Sequence, residues 1–251
     1  MLVSLENKLL KELIVLQRID STNNYAMEQL HAGMANHGTA WLAMEQTAGR
    51  GQRGRQWTAE PGANILLSII IEPSRANLSA PFELSVCFAL AAQTLFNKYS
   101  IDSTTVKWPN DIYWRDRKAG GILIENVFRG TSWDYAIAGI GLNINQVQFP
   151  PDAGYPVSLK QITGWDADII QLCRELCGIL QENFAKLGKE GFAPLLRAYN
   201  DVLFRRNQKV KLKKDNIIFE AVITGVNEHG QLCTSGPVVQ AFNFGELTWI
   251  L

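Results

Sequence analysis

The chain has 251 residues, 47% hydrophobic and 19% charged, which supplies enough apolar material for a sizeable core and excludes a disordered composition. Its 24 basic residues equal its 24 acidic ones, so no global electrostatic pull toward nucleic acid or an anionic membrane exists. The first eleven residues mix Leu with Glu and Lys and hold no apolar run long enough for a membrane span or signal core, so a cytoplasmic protein is expected.

In chain order, residues 13–19 read as a strand, and Asp20, Ser21, Thr22 and Asn23 directly after it are helix-start residues. Residues 41–45 and 65–71 read as further strands, separated by a loop rich in Gly and Arg. Over 80–99 the positions Leu84, Cys87, Phe88, Ala91, Ala92 and Leu95 repeat at helical spacing. Strands follow at 104–108, 121–127 and 135–145, with turn chemistry at Pro109, Asn110, Asp111 and again at Asp116, Arg117, Lys118. Their connections are too short for helical crossovers, so mostly antiparallel pairing is predicted. Asp166 opens a long helix that Gly188 stops, and a shorter helix covers 194–202. Beyond Phe204 come short strands at 209–213, 217–226, 231–234 and 238–242, the texture of a small β-barrel. The expected organisation is an α+β catalytic domain over 1–203 and a C-terminal barrel over 204–251.

Cys87, Cys173, Cys177 and Cys233 show no C-x-x-C spacing and read as reduced, packed thiols. His31, His37 and His229 lie in turn-like surroundings and read as surface or structural residues.

Three segments could carry chemistry. Between Gln46 and Trp57, glycines alternate with Arg50, Arg53 and Arg55, which suits backbone N–H and guanidinium contacts to phosphate or carboxylate. Alone, this segment also reads as an exposed basic loop, and it lacks the Gly-Lys-Ser/Thr ending of a Walker loop. In the run from Lys107 to Asp111, Lys107 can neutralise phosphate, and Asp111, helped by Asn110, is an oxygen ligand of the kind Mg²⁺ takes. The same run also reads as an ordinary hairpin turn. Gly120, Gly121, Gly139 and Gly141 sit inside apolar strands, which they weaken unless a ligand or another backbone must come close. Lys118 stands at the mouth of one such strand and is expected to be exposed without ligand; the same pattern also reads as β-bulges beside a solvated lysine.

The ordered set of Asp20 to Asn23, Gly49-Arg50-Gly51, Lys107 to Asp111, Lys118 before Gly120 and Gly121, and Gly139, Gly141 and Asn143 resembles the biotin–protein ligases from residue 19 to about 145. The resemblance implies a domain akin to class II aminoacyl-tRNA synthetases, with a mixed, largely antiparallel sheet, followed by a small barrel. It implies ATP-dependent activation of biotin to biotinyl-5′-AMP with release of pyrophosphate, then transfer to a lysine of a biotin carboxyl carrier protein. Lipoate–protein ligases share this logic, but their Arg-Arg and triple-Gly loop is not found here.

By the same resemblance, Ser21, Thr22 and Gln46 bind the biotin ureido ring, Asn23 places the helix start around it, and Trp57 covers the ligand's apolar part or stacks near the adenine as the loop closes. Gly51, Gln52, Gly120 and Gly121 complete the biotin site, and Arg50 and Lys118 hold the carboxylate and α-phosphate together as the catalytic pair. Lys107, Asn110, Asp111, Gly141, Asn143 and Arg53 handle ATP, with Asp111 toward Mg²⁺. Many family members carry a second arginine where this chain has Gln52. Too few residues precede residue 13 for a helix-turn-helix domain, so no sequence-specific DNA binding is expected, while a homodimer paired along a sheet edge stays open. A noncatalytic biotin- or nucleotide-binding module is the alternative, and biotin-dependent ATP–pyrophosphate exchange separates the two.

Overall fold

The computed structural model describes residues 9–151, 153–236 and 240–250. Among the described residues, twelve strands organise into a seven-stranded and a five-stranded sheet that share one core. The first sheet contains β1 (Glu12–Leu16), β2 (Thr39–Ala43), β3 (Asn64–Ile71), β4 (Thr104–Lys107), β5 (Asp111–Trp114), β6 (Arg117–Arg129) and β7 (Ser132–Asn143). Their order is β1-β2-β3-β7-β6-β5-β4. Only β1 and β2 pair in parallel; every other neighbouring pair in this sheet is antiparallel.

All eight positions of β3 are buried, so this strand is covered on both faces. Alternation sends Ile65, Leu67, Ile69 and Ile71 into the main core with α2 (Pro81–Tyr99) and α4 (Ile169–Glu190). On the other face Ile70 joins Trp41, Ile137 and Ala26 of α1 (Thr22–His31) in a smaller cluster. Such two-sided burial explains why β3 reads as a continuous apolar run.

Several predicted boundaries shift. β1 ends at Leu16, and Ile19 makes only an isolated bridge to Gln46. β5 was not expected; it forms because the Pro109–Asn110 turn folds the chain back so that Lys107 faces Asp111. The long helix is capped by Asp168, not Asp166, its carboxylate accepting from the N–H of Ile170 and Gln171 at 2.9 and 3.0 Å. It passes through Gly188 to Glu190, where Gly191 at φ 76° ends it. A short helix, α3 (Leu159–Thr163), adds to the expected elements, with Ser158 and Gln161 forming its capping box. α5 (Phe192–Asp201) lies close to the 194–202 expectation.

The C-terminal strands are β8 (Lys209–Lys214), β9 (Ile217–Val226), β10 (Leu232–Ser235), β11 (Ala241–Phe242) and β12 (Thr248–Ile250). They form the small C-terminal β unit that was expected, an antiparallel sheet in the order β11-β10-β9-β8-β12 among the described residues. β12 was not predicted, and the first two residues of the strand expected at 238–242, like most of the N-terminal segment, lie outside the described residues. Leu212, Ala221, Ile223 and Phe242 of this sheet pack into the same core as α2 and α4.

Cys87, Cys173 and Cys177 are buried free thiols, and Cys233 is partly buried. His37 is buried, and its Nδ1 accepts from the Glu72 N–H at 3.0 Å, a structural role as expected. Among the described residues no helix is long and apolar enough to cross a membrane.

Candidate functional site

Strand register brings the sequence-distant motifs together. Leu66 pairs with Gly141, Gly141 with Gly121, Gly121 with Asp111, and Asp111 with Lys107. Residues directly opposite in a sheet share a face, so these five form one row. A parallel row runs Ser68, Gly139 and Leu123, and the next one Ile70, Ile137 and Glu125. Small residues in the first two rows leave a trough on the α1 side of the sheet. The trough is the floor of a cavity of about 940 Å³, within the range that encloses small-molecule ligands.

One end of the cavity is polar but uncharged. Ser21 occupies the N-cap position of α1, yet its side chain makes no capping bond, which leaves the hydroxyl for another partner. Gln46 Oε1 accepts from the Thr22 N–H at 2.7 Å and from the Thr22 hydroxyl at 3.0 Å. Ser68 Oγ lies 2.7 Å from Thr22 Oγ1 and 2.6 Å from Asn23 Oδ1. These contacts fix the orientation of the Gln46 amide; its NH₂ group lies near Gly49, and the residue lines the cavity. Ser68 was not singled out, although it is the one polar residue inside the apolar run 65–71.

The strand glycines make room, but chiefly for side chains and not for a ligand or backbone. A Cβ on Gly139 would overlap Asn23 Oδ1, and one on Gly141 would sit 2.5 Å from Cε2 of Trp57. Trp57 therefore lies flat across the sheet row, and its buried Nε1 has no hydrogen-bond partner among the described residues. Gly121 leaves space beside Asp111 Oδ1 and Lys118 Nζ. Gly120, expected at the biotin site, does not line the cavity: alternation turns it to the opposite face, against Leu142.

The other end is charged. Lys118 Nζ pairs with Asp111 Oδ1 at 2.7 Å, so the lysine expected to be exposed is half-buried and held by the acid predicted for a metal. Asn110 donates to the carbonyl of Ile122 and accepts from its N–H at 3.0 Å, which locks the turn onto β6. Asn143 donates to the carbonyls of Lys118 and Val157 at 3.3 and 3.2 Å. Its amide NH₂ thus holds the strand that carries Lys118.

Lys107 Nζ lies 4.8 Å from the Tyr113 ring centroid, 5.5 Å from Trp249 and 6.0 Å from Phe204. Burial among these rings lowers its pKa to about 8, partly offset by the Asp111 carboxylate. Tyr113, Phe204 and Trp249 were not foreseen, since β12 brings Trp249 from the chain's end. The segment before α3 adds Phe149 and Tyr155 to the wall, again with no sequence signal.

The loop arginines diverge. Arg50 turns to Glu125 and Asn24, Arg53 at φ 57° places its guanidinium 4.9 Å from the Phe244 ring, and Arg55 lines the cavity. Arg53, expected at ATP, is thereby tied to the C-terminal sheet's last connection. Gln52 Nε2 reaches the Ile122 carbonyl at 3.4 Å, and Gly51 lines the cavity with it.

Residues 15–143 match the model of the Biotin/lipoate A/B protein ligase family. The chain is 31% identical over 233 residues to the biotin–[acetyl-CoA-carboxylase] ligase of Paracoccus denitrificans, covering 89% of this chain and 94% of that protein. It is 32% identical over 223 residues to the bifunctional ligase/repressor BirA of Escherichia coli, covering 87% and 67% respectively. The biotin protein ligase of Aquifex aeolicus, solved in complex with biotin and ATP, superimposes with a TM-score of 0.80 at 26% identity, covering 95% of this chain and 98% of that one.

Proposed function

Because the chain belongs to the biotin/lipoate A/B protein ligase family, we propose that it is an ATP-dependent biotin–protein ligase. The observation that carries this reading is a single cavity with a neutral hydrogen-bonding end at Ser21, Thr22 and Gln46, and a cationic end at Lys107 and Lys118, bridged by Trp57. A neutral ureido head buried among apolar groups needs satisfied hydrogen bonds, which the free Ser21 hydroxyl and the Gln46 NH₂ can supply. Trp57 then covers the apolar part of the ligand, and the carboxylate lies toward Lys118.

In the first step a biotin carboxylate oxygen attacks the α-phosphorus of ATP, and the bond to the bridging oxygen breaks as pyrophosphate leaves. Two anions must meet, so the chain's task is charge neutralisation and alignment, with no covalent enzyme intermediate. Lys118 swings from Asp111 to the reacting oxygens, and Lys107 meets the polyphosphate. In the second step the acceptor amine attacks the acyl carbon of the mixed anhydride, and AMP leaves.

Among the described residues no group of three or more His, Cys, Asp or Glu side chains could hold a metal. That fits Mg²⁺ arriving with ATP, since it takes one or two carboxylates plus substrate phosphates and water. Asp111 is the residue that would hold it, and the ion would supply further neutralisation of phosphate charge.

The acceptor we propose is a biotin carboxyl carrier protein, in line with the name of the Paracoccus relative. We read 1–203 as the catalytic unit and 204–251 as a companion that closes the cavity through Phe244 and Trp249. A cytoplasmic site of action suits four free cysteines, and the balanced charge argues against a nucleic-acid partner. β6 pairs with β5 only as far as Gly121, so the outer backbone of residues 124–129 could pair with a second copy; sedimentation would detect it. The decisive experiment is ATP–pyrophosphate exchange with and without biotin. Exchange that needs biotin supports the ligase, whereas binding of both ligands without exchange would leave a noncatalytic module.

A further inference from the structure

Glu125 lies outside every motif discussed above, yet it joins the two halves of the biotin end. Its Oε1 pairs with Arg50 Nη2 at 2.8 Å, and its Oε2 accepts from Arg50 Nη1 at 3.1 Å and from Asn23 Nδ2 at 2.9 Å. Arg50 Nη1 also donates to Asn24 Oδ1 at 2.8 Å. Asn23 continues through the Ser68 and Thr22 hydroxyls, and the Thr22 N–H donates to Gln46, so one chain of hydrogen bonds runs from the loop arginine to the Gln46 amide. Glu125 is on β6, Asn23 and Asn24 on α1, and Arg50 on the loop, so the Glu125–Arg50 pair ties three elements together at one point.

Resting on the ligase reading, we infer that Glu125 is a positioning residue that latches the loop 49–57 over the biotin end, and that Arg50 is its latch partner and not a ligand of the reacting anions. The bidentate geometry favours this: two parallel N–H to carboxylate contacts specify orientation as well as energy, and they use both terminal nitrogens of the guanidinium. The loop has little apolar side-chain burial to hold it. Gly51, Gly54 and the exposed Arg53 and Arg55 make it dependent on such polar tethers. At the end of this loop the Trp57 indole lies against Gly141.

The test compares E125Q, E125D and R50Q in biotin-dependent ATP–pyrophosphate exchange, with tryptic cleavage of the ligand-free loop as a second readout. A latch predicts that E125Q raises the KM for biotin by about tenfold, the size of one charge-assisted contact, with kcat within about twofold. Cleavage after Arg53 or Arg55 accelerates, E125D falls between wild type and E125Q, and R50Q combined with E125Q is no worse than either alone. A lower KM for biotin in E125Q would overturn the proposal, because Glu125 would then be masking Arg50 from substrate. So would an R50Q enzyme that loses kcat with an unchanged KM for biotin. If E125Q does not fold, R50Q alone decides between these outcomes, since the Arg50 side chain makes its polar contacts to Glu125 and Asn24 among the described residues. Absence of biotin-dependent exchange in the wild-type protein would instead remove the ligase reading itself.

Discussion

Replacing Lys118 with alanine separates catalysis from stability, because the lysine's resting contact is weak and its proposed working contact is strong. At rest Nζ sits 2.7 Å from Asp111 Oδ1, but the two side chains remain 31% and 26% exposed, so water screens the pair. Discounted for that screening, its loss costs about 1 kcal/mol of stability, or a Tm shift of about 2–4 °C for a chain of this size. In the transition state the same ammonium would face the carboxylate and α-phosphate oxygens with solvent excluded by Trp57 and the loop. Removing one such charged donor costs about 3 kcal/mol, on the order of a hundredfold in rate. The assay pairs biotin-dependent ATP–pyrophosphate exchange with a thermal melt of the same preparation. Exchange within a few-fold of wild type would refute the catalytic role. A collapse of Tm with proportionate loss of activity would show that Lys118 is structural.

Asp111→Asn should raise the Mg²⁺ concentration for half-maximal exchange by about tenfold, whereas Lys118→Ala should not, a contrast measured by Mg²⁺ titration. Gln52→Arg adds a charge where the present amide makes only a 3.4 Å contact to the Ile122 carbonyl, and it should slow biotinyl-adenylate release by about tenfold while leaving biotin affinity nearly unchanged; equal stopped-flow release rates would show that Arg53 and Arg55 already suffice. Gly141→Ala puts a methyl 2.5 Å from Trp57 Cε2 and should displace the indole, with weaker biotin binding and a loss of about 1–3 kcal/mol in denaturant unfolding. Lys107 must be charged to meet phosphate, and with its pKa lowered to about 8, kcat/KM for ATP should fall as pH rises through that value; Lys107→Arg should hold the rate to higher pH.

Local chemistry was legible wherever it depends on neighbours in the chain. The helix start at Thr22 follows from Asp20 to Asn23, the buried strand 64–71 from its continuous apolar run, and α2 from its repeat of apolar positions. The motifs around Arg50, Lys107, Lys118 and Gly139 were each visible for the same reason: glycine, lysine and turn residues carry their chemistry in themselves. What the strand glycines are for was not legible. Gly139 and Gly141 read as spaces for a ligand or backbone, and they prove to hold Asn23 and Trp57 from elements about 80 to 120 residues away.

Only the tertiary structure decided which charges meet. Antiparallel register set Asp111 beside Gly121 and Lys118, turning an expected metal ligand and an expected exposed lysine into an ion pair. The same register put Glu125 within reach of Arg50 and sent Gly120 to the far face, and the last strand delivered Trp249 to Lys107. A one-residue change of pairing would reverse every face, and no single stretch of sequence specifies the pairing of two strands. Residue type and local periodicity determine what each segment can do, whereas long-range pairing and packing determine which segments do it together.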